Sequence, residues 1–242
     1  MELRNGIAAF DPVTLRIAAE QLPLVQLPPA LDAEMPEHLC SLATVEVTPF
    51  DVAAKIDTGQ LTWSGNASLE YFTTYAGGQA SGVRIAGARV AELDDAVVAR
   101  VTMHLEGKKL RAWFAELPAE VTSLEGVALV EDARRWMKDF STRDKKFDAL
   151  TVPQQDVDYE AFVTGLDRPT RQKIRAVIDE KGARVIAETV IISSMPTWRA
   201  PKEVTLGEKG PVIFWFSEGN ENRALPFAVV YTEAGAWKNE GA

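Results

Sequence analysis

Residues 97–117 read VVARVTMHLEGKKLRAWFAEL, and the rest of the chain is best read outward from them. Val97, Ala99, Val101, Met103 and Leu105 occupy one set of alternate positions, and Arg100, Thr102, His104 and Glu106 occupy the other. Successive side chains of a strand point to opposite faces, so a period of two marks a strand with one buried face. Gly107-Lys108 then turns the chain into Leu110-Arg111-Ala112-Trp113-Phe114, which completes a β-hairpin. Leu110, Ala112 and Phe114 make its apolar side, and Trp113, out of phase with them, is expected on the outer side.

Toward the amino terminus the same period persists. Ala43, Val45 and Val47 alternate with Thr44 and Glu46, Leu69, Tyr71, Thr73 and Tyr75 share one face, and Val83 and Ile85 begin a further strand. Earlier still, Asp11-Pro12 ahead of Val13, Ile17 and Ala18 reads as an N-cap, a proline at the first helical position and one short helix. Pro23, Pro28, Pro29 and Pro36 then crowd together. Proline fixes φ and lacks an N–H, so Leu22–Glu37 is expected to be an extended arm, a connector or a docking segment for a partner.

Toward the carboxyl terminus the pattern turns helical. Thr122-x-x-Glu125 has the form of a capping box, followed by a stripe of Leu129, Ala133, Trp136, Met137 and Phe140. Asp156 or Asp158 is expected to cap a second helix carrying Tyr159, Phe162, Val163 and Leu166. Asp167-Arg168-Pro169 would open a third, with Ile174, Val177 and Ile178 inward and Gly182 as its stop. Val185–Ile192, Val212–Phe216 and Ala224–Thr232 read as strands, with Ser217–Arg223 as a loop. The expectation is an α+β fold: an antiparallel-rich mixed sheet, a central block of about three helices (residues 122–181) packed on it, and a Pro-rich N-terminal arm. Residues 1–40 would carry the first helix and the arm, and 41–242 a single domain. Subdomains 41–150 and 151–242 are the alternative.

Composition narrows function by exclusion. Apolar residues are 46% and charged residues 25% of the 242, the balance of a globular chain. Twenty-six basic against 35 acidic residues give a net charge of −9, which excludes a generally basic nucleic-acid coat. One cysteine excludes an intramolecular disulfide, and two histidines leave little room for imidazole-rich zinc chemistry. The polar start Met1–Gly6 has no basic stretch leading into an apolar segment, and the apolar runs are far shorter than the ~20 residues of a membrane helix. A cytoplasmic setting is expected, with no membrane partner and no cofactor.

Candidate chemistry is sparse. His38-Leu39-Cys40 brings a thiol and an imidazole near each other, and on an extended chain they would share a face, but no orienting acid is visible. Asp94-Asp95 with Glu106-Gly107-Lys108 has the residue types of a metal-dependent nuclease, yet Asp95 and Glu106 close opposite ends of one strand, roughly 35 Å apart. Gly77-Gly78-Gln79-Ala80-Ser81-Gly82 leads into a strand rather than the helix N-terminus a phosphate loop needs, and so reads as a hairpin connection. In the basic stretch Arg168–Arg184, Arg168 and Arg175 share a helical face with Asp179, which suits a solvated face or a small anion site. Of six tryptophans, Trp113, Trp198 and Trp237 fall outside the core stripes.

These features point to a non-catalytic binding or interaction protein acting on a protein or small ligand through an aromatic surface. Trp113, Trp198, Trp237, Arg168 and Arg175 are its candidate binding residues; no metal ligand or catalytic residue is identified. The alternatives are a metal-dependent hydrolase or nuclease whose carboxylates converge from distant segments, and a structural subunit of a larger assembly, including a homo-oligomer.

Overall fold

A computed structural model describes residues 3–22, 25–48, 51–121, 126–163, 166, 170–183, 202–218 and 223–239. In chain order its elements begin with β1 (Ile7–Phe10), α1 (Pro12–Glu20), α2 (Glu37–Ser41), β2 (Ala43–Val47), β3 (Val52–Ile56) and β4 (Thr62–Trp63). They continue with β5 (Ala67–Thr73), β6 (Gln79–Glu92), β7 (Val97–Leu105), β8 (Lys108–Glu116), α3 (Val127–Arg143) and β9 (Lys145–Pro153). The last are β10 (Gln155–Val163), β11 (Thr170–Ile178), β12 (Glu203–Thr205), β13 (Val212–Glu218) and β14 (Phe227–Thr232).

Ten strands form one sheet, ordered β1-β14-β13-β8-β7-β6-β9-β12, with β4 joined to β7 and β5 to β6. All its pairings are antiparallel except β9 with β12. Residues 82–85 of β6 pair with both β5 and β9, and residues 89–90 with both β7 and β9. Strands β5 and β7 therefore share one edge of β6, and the sheet forks between them. Gly87, at φ +76°, stands at the fork, a conformation that L side chains resist.

The hairpin of residues 97–117 is present as β7 and β8. Trp113 does alternate with Leu110, Ala112 and Phe114, but its face is not solvated. Arg100, Trp113 and Trp215 lie in register across β7, β8 and β13, and α3 lies over them. The Trp113 and Trp215 rings stack at 5.8 Å and 4°, Phe140 meets Trp113 edge-on at 5.0 Å, and Trp136 approaches Trp215 at 6.0 Å. The Arg100 guanidinium caps both Trp113 and Phe140, at 5.4 and 5.3 Å from the ring centres. The apolar stripe of α3, from Leu129 to Phe140, is buried as its spacing predicts. Its capping box, Thr122 to Glu125, lies outside the described residues.

Residues 155–178 overturn the expected helical block. They form a two-stranded antiparallel sheet, β10 against β11, with Gln155 opposite Ile178 and Val163 opposite Thr170. Gln155, Val157, Tyr159, Ala161 and Val163 are buried, while Asp156, Asp158, Glu160 and Phe162 between them are exposed. A helix would have required Phe162 inward beside Tyr159, yet Phe162 is 60% exposed. A charge at every second position leaves no helical stripe, and period two wins. The fold is thus mostly strand, with three α-helices among the described residues, of which only α3 falls in 122–181. The α+β reading with a central helical block is corrected accordingly.

Two further predicted features are placed differently. Residues 29–31 make a 3₁₀ turn inside the proline-rich stretch, and residues 37–41 are already helix α2. Strand Val185–Ile192 lies outside the described residues, as do Pro23 and residues 219–222 of the Ser217–Arg223 loop.

Candidate functional site

Strands β2 and β3 form a second small hairpin, Ala43 opposite Ile56, which meets α1. Between this hairpin and β10–β11 lies a cleft of about 650 Å³. Five consecutive residues of β11, Lys173–Val177, line it, and so do five consecutive residues, Lys55–Gly59, running from the end of β3. Alternate side chains of a strand point to opposite faces, so consecutive residues can border one cavity only along a strand's edge. Each of these strands pairs on one side only among the described residues, β3 with β2 and β11 with β10. The cleft therefore runs between the edge of β11, open among the described residues, and the end of β3 with the irregular segment Asp57–Gly59 that follows it.

Its floor is apolar. Leu61, Ile174, Phe216, Phe227 and Ala228 contribute, and all but Phe227 are buried. Phe216 alternates with Trp215, so it faces away from α3 and into this side of the sheet. The wall is shaped by a β-bulge: Phe214 pairs with Val230 but Phe216 pairs with Phe227, so two residues of β14 oppose Trp215 alone. Ala228, in the bulge, takes φ +48°, an uncommon conformation for a residue with a Cβ.

Asp11 holds the bulge in place. Its carboxylate caps α1 by accepting from the amides of Val13 (3.2 Å) and Thr14 (3.1 Å) and from the Thr14 hydroxyl, and it also accepts from the Ala228 amide at 3.3 Å. Burial pushes the Asp11 carboxyl above the usual carboxylate range, against the pull of those donors. The Gln172 side-chain amide brackets the Asp11 backbone, donating to its carbonyl at 2.6 Å and accepting from its N–H at 3.1 Å. These bonds fasten β11 to the start of α1, at the foot of the cleft.

The rim is charged. Lys55 lies 3.7 Å from Asp57, and Lys173 lies 3.4 Å from Asp158, both pairs well exposed. Arg175, opposite Asp158 in the strand register, is exposed and makes no ion pair among the described residues. It belongs to a strand rather than a helix, so its expected i, i+4 pairing with Asp179 does not form.

Of the candidate binding residues among those described, only Arg175 borders this cleft. Trp113 is fully buried and donates its indole N–H to Ser217 Oγ at 2.8 Å. Trp237 is buried against Phe72 and Tyr75, with its indole N–H on Thr232 Oγ1 at 3.0 Å. Neither tryptophan forms a surface. Trp198 and Arg168 lie outside the described residues. Lys55, Lys173, Phe216 and Phe227 were missed; the alternation of Lys173 and Arg175 with Gln172 and Ile174 was the available signal.

The other candidates resolve as structure. His38 and Cys40 stand on helix α2, where residues two apart do not share a face. Burial, then the carboxylates of Glu218, Glu20 and Asp11, push the Cys40 thiol up, the opposite of an activated nucleophile. Glu218 accepts from the backbone amides of His38 and Leu39 at the start of α2. Asp94 and Asp95 are taken by Arg143 (2.9 Å) and Arg135 (2.6 Å), and Arg135 holds the Asp95 carboxyl below its usual range. Glu106 sits in the β7–β8 turn at φ +49°. Among the described residues no three His, Cys, Asp or Glu side chains gather in a way that could hold a metal ion. No helix among them is long and apolar enough to cross a membrane.

No protein-family model matches the sequence, and no curated protein matches it. Among solved structures, the chain is similar to the thermophilic serpin tengpin in its native state, with 14% identity and a TM-score of 0.44 over 78% of this chain and 57% of that one. It is also similar to native protease nexin-1 with heparin (11%, 0.42, 73% and 53%) and to thyroxine-binding globulin in complex with thyroxine (15%, 0.44, 74% and 54%). The chain spans little more than half the length of these proteins.

Proposed function

We propose that this chain is a non-catalytic binding protein whose ligand, a small molecule or a segment of another protein, occupies the cleft between β3 and β11. The observation that carries the reading is the cleft itself, with an apolar floor and a charged rim in a volume of about 650 Å³. Binding sites for small molecules span about 300–1,000 Å³ and combine apolar walls with a few polar groups. Phe216 and Phe227 supply the aromatic contact that the sequence had suggested for the tryptophans. We place its action in the cytoplasm, a setting supported by a single half-buried thiol pushed up by its surroundings.

Titration with the anionic apolar dye 8-anilinonaphthalene-1-sulfonate tests the reading. The folded wild type should enhance the dye's fluorescence with saturation at one dye per chain. Ala176→Trp, which fills the cleft between its two sides, should weaken that affinity by about tenfold or more, a loss of one good apolar contact. Circular dichroism identical to wild type would show that the variant is folded. Unchanged dye binding in the folded variant would refute the assignment.

A further inference from the structure

Among the described residues, the β11 edge that borders the cleft has unpaired strand backbone to offer as well as side chains. A strand edge presents a row of N–H and C=O groups that another extended chain can pair with. Over Lys173–Val177 that row is about 17 Å long at ~3.3 Å per residue. Across the same space lie Lys55 and Ile56, the end of β3, and the irregular segment Asp57–Gly59. Small ligands do not need an open backbone edge, whereas an extended peptide uses one directly.

Charge then selects the peptide. Lys55, Lys173 and Arg175 stand on the rim; Asp57 and Asp158 each already face a lysine, and Asp11 is buried under four donors. Arg175 is left as the rim cation without an ion pair among the described residues. The chain as a whole carries −9, so the excess cation at Arg175 runs against the prevailing charge. Phe216 and Phe227 below offer an apolar seat for side chains on the inward face of an added strand.

We propose that the cleft takes an extended acidic segment of a partner protein, which adds as a strand along the edge of β11 with its acidic side chains toward Arg175 and its apolar ones on Phe216 and Phe227. The proposal rests on the binding reading above and narrows its ligand class.

The test uses a fluorescein-labelled, terminally blocked octapeptide of alternating glutamate and valine, followed by anisotropy and by displacement of the anilinonaphthalene dye. The wild type should bind it and release the dye. Arg175→Glu should weaken binding about fivefold or more, an effect that shrinks at high salt. The same peptide N-methylated at alternate amides keeps its charges but cannot pair with an edge, and it should not bind measurably. Equal binding of the N-methylated peptide would overturn the proposal, since charge alone would then explain capture. Dye displaced by decanoate but not by the peptide would also overturn it, leaving the cleft as a site for small organic anions. Dimerisation of the wild type in sedimentation, abolished by Arg175→Glu, would assign the cleft to a second copy and equally overturn it. A failure of dye binding itself would instead remove the underlying reading.

Discussion

Replacing Asp11 probes the joint on which the cleft is built. Its carboxylate serves the amides of Val13, Thr14 and Ala228 and the Thr14 hydroxyl. Loss of an N-cap costs about 1 kcal/mol, within a range of roughly 0.5–2. The buried Ala228 amide, left without its acceptor, adds about 1–3 kcal/mol. Relief from burying a carboxylate offsets part of this, so Asp11→Ala should lose about 2–3 kcal/mol in urea-induced unfolding at pH 7. Asp11→Asn keeps an acceptor oxygen and a favourable cap, and should lose no more than about 1 kcal/mol. The pH dependence has a definite sign. Because burial raises the Asp11 pKa in the fold, the folded chain holds a proton that the unfolded chain has already released. The stability this group lends is full below the unfolded value and falls as pH climbs through the folded one. Asp11→Asn cannot titrate there, so wild-type stability relative to the variant should decline as pH rises above the ordinary carboxylate value. An Asp11→Ala variant within about 0.5 kcal/mol of wild type, the range of ordinary surface changes, would refute the joint. A wild-type advantage that grows with pH would refute the protonation reasoning.

Three further outcomes follow from buried contacts. Trp113→Phe strands the Ser217 hydroxyl, whereas Trp215 has an indole N–H without a partner among the described residues, so Trp113→Phe should cost about 1–2 kcal/mol more than Trp215→Phe in denaturant unfolding; equal costs would contradict the assignment. A Cβ at Gly210 would lie 1.8 Å from the Leu117 carbonyl oxygen, so Gly210→Ala should lower stability by about 3 kcal/mol, the upper end of overpacking costs, and a thermal midpoint equal to wild type would contradict that crowding. Cys40, pushed up by burial and neighbouring carboxylates, should react with iodoacetamide at pH 8 more slowly than N-acetylcysteine does, and an equal or faster rate would contradict that environment.

The legible parts of this chain were those where one local rule acts alone. Asp11 caps α1 as its residue type suggests, and the alternation of residues 97–117 gives β7 and β8 directly. Phe214 and Trp215, buried on opposite faces of β13, were also readable as a strand without a solvated side. Residues 155–178 were misread because Tyr159, Phe162 and Val163 happen to fit helical spacing, although the alternating acids and bases fit strand spacing better. Trp113 was placed on the correct face, but what covers that face is α3, and coverage is a tertiary fact that no local period reports. The cleft was illegible for the same reason. Its two sides come from residues 55–59 and 173–177, and its floor from Phe216 and Phe227, three segments that only the sheet topology brings together.

Pairing of β1 with β14 sets residues 7–10 beside residues 229–232. During synthesis β1 must therefore wait until the long stretch between Phe10 and Phe227 has been made before it meets its neighbour. Contacts of such long span slow folding, and Ala8, Ala9 and Phe10, fully buried in the finished sheet, stay exposed in the interval. The nascent protein should accordingly depend on chaperone protection of β1, and release from that protection should coincide with synthesis of β14.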